Sequence, residues 1–159
     1  MSITVTADGA DATRSLREYA KRIEREARTS VGRLTLRLLT KVKQDKLSGQ
    51  VLNVRSGRLR RSINQRVVVS TGRVEGLVGT NVEYGAGHEY GFKGQVSVKA
   101  HMRMIKQAFG IPITPRLVQV RAHPREMDLP ERSFLRSALR DMQPEIMAEL
   151  QASVGRAAR

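Results

Sequence analysis

The first third of the chain carries a helical pattern of apolar residues. They recur at steps of four and three at Leu16, Ala20, Ile23, Ala27, Val31, Leu34, Leu38 and Val42. This spacing places the side chains on one face of an α-helix and predicts a helix over residues 12–47. Such a helix is about 50 Å long at 1.5 Å per residue, more than one small core covers. We therefore expect Leu16, Ile23, Leu34 and Leu38 to pack on the sheet, and part of the stripe to face a partner.

The middle of the chain changes to the period of two that is typical of strands. The segments Val67–Val69 and Val74–Val78 flank the turn residues Ser-Thr-Gly-Arg, which predicts a β-hairpin. A near-repeat follows, Val-Lys-Ala-His-Met-Arg at 98–103 and Val-Arg-Ala-His-Pro-Arg at 120–125. Both copies alternate small apolar and basic residues. They predict a long hairpin extension over residues 95–126, with its arms matched side chain for side chain and residues 109–115 as the connector.

The last stretch returns to helical spacing. Its apolar positions are Leu135, Ala138, Leu139, Met142, Ile146, Leu150 and Val154. Pro130 opens this element, Pro144 should kink or restart it, and residues after Gly155 should be frayed. At the other end, Ile3 and Val5 allow a short strand. The sequence thus predicts one α+β domain over residues 1–159, with a long N-terminal helix, a small antiparallel sheet with a protruding β-hairpin, and a kinked C-terminal helix.

Composition and charge narrow the class of protein. Aromatic residues make up only 4% of the chain, so the core should be modest and burial against a neighbouring subunit is expected. The net charge of +14 arises from two stretches without carboxylates, between Asp45 and Glu75 and between Glu89 and Glu126. Charge segregated in this way marks a region that meets something negative. Without cysteine there is no disulfide or thiolate metal site, and no apolar run is long enough to span a membrane.

Candidate chemistry in the sequence is sparse. No Ser, His and carboxylate form a nucleophile motif, and no glycine-rich phosphate loop is present, so we expect neither enzymatic activity nor a cofactor. His101 and His123 could face each other across the hairpin. Two imidazoles without a nearby Cys, Asp or Glu make a poor zinc site. We therefore expect no metal, and packing or partner contact for both histidines.

The basic residues are the predicted contacts with a partner or a channel. Arg58, Arg60 and Arg61 lie on a short helical turn capped by Ser56, and either form a solvated basic face or contact an acidic subunit. On the hairpin, the predicted contacts are Lys99, His101, Arg103, Arg121, His123 and Arg125. The calculated pI of about 11.3 also fits a non-specific nucleic-acid-binding module, which is the alternative function. Against it, the basic stretches contain almost no aromatic stacking platforms.

Three blocks occur in a recognisable order. They are Ser-Gly-Arg-Leu-Arg-Arg-Ser-Ile at 56–63, Val-Gly-Thr-Asn-Val-Glu-Tyr at 78–84 leading to His-Glu-Tyr-Gly at 88–91, and Pro-Glu-Arg-Ser-Phe-Leu-Arg-Ser-Ala-Leu at 130–139. With the long leading helix they resemble the tail-completion, or virion-morphogenesis, proteins at the neck of tailed bacteriophages. The resemblance covers about residues 14–152. The family block usually reads Arg-Pro-Phe-Leu, and Ser133 stands here in place of that proline.

The resemblance implies a non-enzymatic structural protein of the virion. It would form a homo-oligomeric ring, with six copies expected from a six-fold tail, at the head-proximal end of the tail. There it would join the tail tube or tail terminator to the head connector around the DNA channel, close to packaged DNA and without a membrane. Such a protein is located in the tail or neck of the virion and is assembled in the bacterial host cytoplasm.

Overall fold

A computed structural model describes residues 9–158, so the strand predicted at Ile3 and Val5 lies outside the described residues. The predicted α+β class is confirmed, with helices at both ends and antiparallel strands between them. In chain order the elements are α1 (Gly9–Lys41), a π-helical turn (Val42–Lys46) that continues it, α2 (Arg58–Ser62), β1 (Asn64–Ser70), β2 (Arg73–Gly79), α3 (Tyr84–Tyr90), β3 (Phe92–Val98), β4 (His101–Ala108), β5 (Ile111–Val120), β6 (His123–Leu129) and α4 (Leu135–Ala157). The strands form three two-stranded antiparallel sheets, β1–β2, β3–β6 and β4–β5.

The apolar core is small and lies where the end of α1, the turn α2 and the start of α4 meet. Val42, Ile63, Phe134 and Ala138 are fully buried there, and Leu47 and Leu52 complete the cluster. Burying a Phe or Ile side chain stabilises a fold by about 1.5–3 kcal/mol, so these few residues supply much of its apolar stabilisation. The modest core expected from the composition is thus present, with Phe134 as its largest side chain.

The two long helices are held together by a largely polar seam. They run antiparallel, since Glu26 pairs with Arg156 near the end of α4 while Lys46 pairs with Asp141 near its start. Between them Glu149 accepts hydrogen bonds from buried Ser30 at 2.8 Å and from Arg156 at 2.8 Å. These two donors hold the pKa of Glu149 below its usual value. The fraying predicted after Gly155 is wrong for residues 156 and 157, because α4 continues through Ala157 and these contacts of Arg156 anchor its last turn.

The predicted packing of α1 is only partly observed. Leu34 is buried and Leu38 packs against the core, but Leu16 is 68% exposed. The reason is geometric, because α4 ends near Glu26 and α1 continues beyond it. Farther along α1, Thr35 packs against Gly76 of β2, where an added Cβ would lie 2.0 Å from the Thr35 hydroxyl oxygen. Glycine at this position therefore lets the sheet approach the helix.

The start of α4 is capped by a carboxylate from a distant part of the chain. Buried Glu89 of α3 accepts hydrogen bonds from the backbone N–H groups of Phe134, Leu135 and Arg136 at 2.8–2.9 Å, and from the Ser133 hydroxyl at 2.9 Å. These groups would otherwise lack partners at a helix N-terminus, and the helix dipole favours negative charge there. Burial alone raises the pKa of Glu89, but the four hydrogen bonds outweigh it and hold the pKa below its usual value.

This cap explains where α4 begins. The helix was expected to open at Pro130, but the first helical residue is Leu135, next to the Glu89 carboxylate. Pro144 lies within a single helix that ends at Ala157, so the helix does not restart at the proline. The Arg136 guanidinium reinforces the joint, since it donates to the backbone oxygen of Glu89 and lies 4.6 Å from the centre of the Tyr90 ring.

We expect Glu89→Gln to destabilise the fold by about 1–3 kcal/mol at pH 7, because an amide cannot accept all of the hydrogen bonds that the carboxylate accepts. The folded-state pKa of Glu89 lies below the ordinary value of 4.5. Its contribution is therefore complete above that value and is lost as the pH falls through the folded-state pKa. Urea unfolding from pH 7 to pH 3 should show the difference from the natural chain shrinking with acid. Exposed Glu83→Gln is the control and should change little.

Candidate partner-binding surfaces

The hairpin predicted at residues 95–126 is a long two-stranded ribbon. It runs from β3 through β4, turns, and returns through β5 and β6, with Phe92 paired to Leu129 at its base. A fully extended run of residues 92–108 would be about 55 Å long at about 3.3 Å per residue. The ribbon makes its main contacts between its own strands. It therefore projects from the helical body, as the sequence predicted.

The two copies of the near-repeat meet in opposite directions. Val98 pairs with His123, and His101 pairs with Val120. The predicted match of like side chains is wrong, because antiparallel strands bring the start of one copy opposite the end of the other. The histidines likewise do not face each other. Each ring instead places Nδ1 at 2.9 Å from the backbone oxygen two residues earlier, that of Lys99 or Arg121.

The turn of the ribbon is tighter than the connector predicted at residues 109–115. Only Phe109 and Gly110 form it, with φ of 51° and 80°, as a two-residue hairpin turn requires. The residues after Gly110 belong to β5. Pro112 and Pro115 are tolerated there because both strands of a two-stranded ribbon are edge strands. The pairing register also shifts in this part, between Ile105 and Gln107.

Beyond the histidines the ribbon has a basic face and an apolar face. Opposite residues share a face and successive residues alternate. His101, Arg103 and Arg116 lie on one face, called the basic face, opposite the half-buried apolar residues Val120, Val118 and Ile105. The other face, called the apolar face, carries Met102, Met104 and Leu117, which are 52–61% exposed, together with the polar Gln119 opposite Met102, and the ring of Phe109 is fully exposed at the tip. The ribbon therefore offers two chemically different surfaces.

The predicted arginines of α2 lie at a pocket on the body. As expected, Leu59 packs against the core and Ile63 is buried. The helix N-cap is Gly57, with a φ of 67°, while the Ser56 hydroxyl accepts a long hydrogen bond of 3.4 Å from the N–H of Arg58. Arg58 and Arg60 line a pocket of about 560 Å³, and Arg61 lies outside it.

All nine predicted contact residues are exposed, and the structure leaves them in two separate groups. The ribbon carries Lys99, His101, Arg103, Arg121, His123 and Arg125, whereas α2 carries Arg58, Arg60 and Arg61. Within residues 9–158, none of these nine side chains forms an ion pair. Of the two basic stretches, only Lys46, Arg73 and Lys93 pair with a carboxylate in this part of the chain. Their role in contacting a partner stays a prediction.

Sequence reasoning missed two further arginines. Arg55 and Arg132 line the same pocket as Arg58 and Arg60. Arg132 follows Glu131 and lies outside both carboxylate-free stretches, so no charge pattern singled it out. Its backbone N–H donates to the backbone oxygen of His88 at 2.8 Å, which brings the return of the ribbon beside α3. Only the fold places Arg132 near α2.

Residues 6–91 match the family model described as "Bacteriophage HK97-gp10, putative tail-component". This is more than half of the chain. The chain belongs to this family of bacteriophage tail components. The match includes α1, α2, the β1–β2 hairpin and α3, and therefore the blocks at 56–63, 78–84 and 88–91 on which the phage resemblance depended. Neither a curated protein nor a solved structure matches the chain.

Family membership identifies a protein of the phage virion, and the ribbon lies outside the matched region. The match ends at Gly91, one residue before β3 begins. Across residues 9–158, no helix combines the length and low charge needed to cross a bilayer. In the same residues, no three His, Cys, Asp or Glu side chains gather as ligands for a metal ion would.

We expect the body to fold without the outer ribbon, which is the part of the ribbon formed by residues 99–122. Replacing residues 99–122 by Asn-Gly joins Val98 to His123, which are already paired, through a favourable two-residue turn. Because the outer strands contact mainly each other, the free energy of unfolding should change by less than about 1 kcal/mol, or about 2–4 °C in Tm. Circular dichroism melting tests this. A fall beyond about 10 °C would show that the outer ribbon supports the body.

Proposed function

We propose that this tail component is a structural protein of the phage neck. It completes the head-proximal end of the tail and joins it to the head connector around the DNA channel, without enzymatic activity. It acts as a homo-oligomeric ring, with six copies matching a six-fold tail. Its neighbours would be the tail-tube or tail-terminator protein on one side and the connector on the other. The family match supports the tail, and the ribbon supports the finer assignment.

The observation that carries this proposal is the separation of the two ribbon faces. Met102, Met104 and Leu117 expose apolar surface on one face, while Arg103 and Arg116 lie on the other. A two-stranded ribbon is marginally stable alone in water, so an apolar face of this kind favours coverage by another subunit. In a ring, each ribbon would lie against the neighbouring copy with its basic face turned to the channel and the DNA within it.

The exposed apolar side chains of α1 support the same arrangement. Leu16 and Leu36 are more than half exposed, and Leu16 lies on the part of α1 that continues beyond the end of α4. More large apolar side chains are exposed than buried within residues 9–158. Contact between different surfaces of identical copies would cover this excess and close into a ring.

We expect assembly to depend on the ribbon charges. Arg103→Glu with Arg121→Glu should leave the fold intact but reduce joining of tails to heads at least tenfold, because it places carboxylates on the part of the ribbon that is proposed to face the DNA in the channel. Arg28→Glu with Arg66→Glu is the matched control, since both residues are exposed and the net charge changes equally. Light scattering after size exclusion, alone and with tail and connector proteins, together with electron microscopy of the particles, measures the outcome. A natural chain that stays monomeric with all of these partners would refute the neck proposal.

The second candidate is a free nucleic-acid-binding module, which the carboxylate-free outer ribbon favours. A two-stranded ribbon fits the major groove of duplex DNA, and its cations could contact phosphates. If this is the function, a monomer should bind a labelled duplex at submicromolar affinity. The logarithm of the affinity should fall by about 0.9 per phosphate contact for each tenfold rise in salt. Anisotropy titrations across a range of KCl concentrations test this, and binding only by assembled rings would exclude it.

A further inference from the structure

The pocket beside α2 combines an apolar floor with a cationic rim. Leu47 and Leu52, both buried, belong to its floor together with Leu59. Tyr84 and His88 form one wall, with their rings edge to face at 6.0 Å. Its volume of about 560 Å³ lies within the range of pockets that bind ligands.

The rim of this pocket is electrostatically unsatisfied. Arg55, Arg58, Arg60 and Arg132 all line it, and no carboxylate does. None of these four guanidinium groups forms an ion pair within residues 9–158, whereas Arg33, Arg136 and Arg156 elsewhere all do. A guanidinium group presents paired donors that match a carboxylate or a phosphate. The pocket therefore suits an anionic occupant.

We propose that this pocket binds an acidic peptide segment of a partner protein, with a bulky apolar side chain inserted between its carboxylates. The apolar floor of the pocket favours a peptide over a nucleic acid, because a duplex presents phosphates but no apolar side chain to fill a concave leucine-lined surface. A second copy of this chain fits poorly. Its net charge is +14, and carboxylates such as Glu145 and Glu149 are already paired with its own arginines.

The pocket is formed by segments from different parts of the chain. It is lined by the loop before α2, by α3, and by the segment through which the ribbon returns, including Leu129 and Arg132. An occupant would thus contact the matched family region and the ribbon base together. The pocket would accept such a segment whether or not the chain lies in the phage neck.

The test uses the full chain and a fluorescein-labelled peptide of alternating glutamate and leucine. We expect saturable binding that falls at least tenfold when glutamine replaces glutamate, or alanine replaces leucine. Arg58→Glu with Arg132→Glu should abolish binding. The control Arg28→Glu with Arg66→Glu, which lowers the net charge equally, should bind within about twofold of the natural chain after screening by salt.

Three results would overturn the proposal. The first is equal binding of the alanine and leucine peptides, which would reduce the site to a surface charge effect. The second is binding to the pocket variant as tight as binding to the control variant. The third is displacement of the peptide by a short duplex DNA that loses its own binding in the pocket variant, which would assign the site to phosphate. None of these results bears on ring formation or head–tail joining, which are measured separately.

Discussion

The carboxylate of Glu89 fixes the relative positions of the helices and the ribbon. It accepts three backbone N–H groups at the start of α4 while its own backbone lies in α3. The ribbon leaves the body at Phe92 and returns at Leu129, so both of its ends lie a few residues from this cap. Gly91 completes the joint, with a φ of 76° and a position where an added Cβ would lie 3.1 Å from the Leu129 carbonyl oxygen. One buried carboxylate and one glycine with positive φ therefore lie at the joint between the ribbon and the helices.

The rest of the body is stabilised by a small core and by a polar seam whose contacts differ in their contribution to stability. Exposed pairs such as Arg14–Asp11 contribute little in water, where long side chains lose entropy and salt screens the charges. Glu149 is different, because Ser30 beside it is fully buried and Arg156 donates to both residues. A polar network of this kind fixes the register of α1 against α4 more than it adds stability. The two helices therefore have a defined register, and apolar side chains outside their contact remain exposed.

The sequence predicted what depends on local periodicity. The stripe of α1, the β1–β2 hairpin and the projecting ribbon follow from the spacing of apolar residues. The cap of α4 could not be predicted, because Glu89 lies about 45 residues before the groups it binds and its carboxylate resembles any other in the sequence. The pocket escaped for the same reason, since Arg132 joins Arg58 only in three dimensions. The prediction that His101 and His123 face each other failed for a different reason. A sequence repeat suggests that equivalent residues lie opposite each other, but antiparallel pairing reverses the direction of one copy.

The two cationic surfaces relate differently to the family framework. Residues 6–91 contain α1 to α3, and with them Arg55, Arg58 and Arg60, while the ribbon and α4 follow the match. Because Phe92 pairs with Leu129, the ribbon begins and ends at one place and can project without disturbing the contacts of α1 with β1 and β2. What the ribbon contacts is therefore not dictated by the matched framework. The pocket, in contrast, is built on that framework and is also lined by Arg132, which follows the ribbon. Any occupant would therefore contact both parts of the chain.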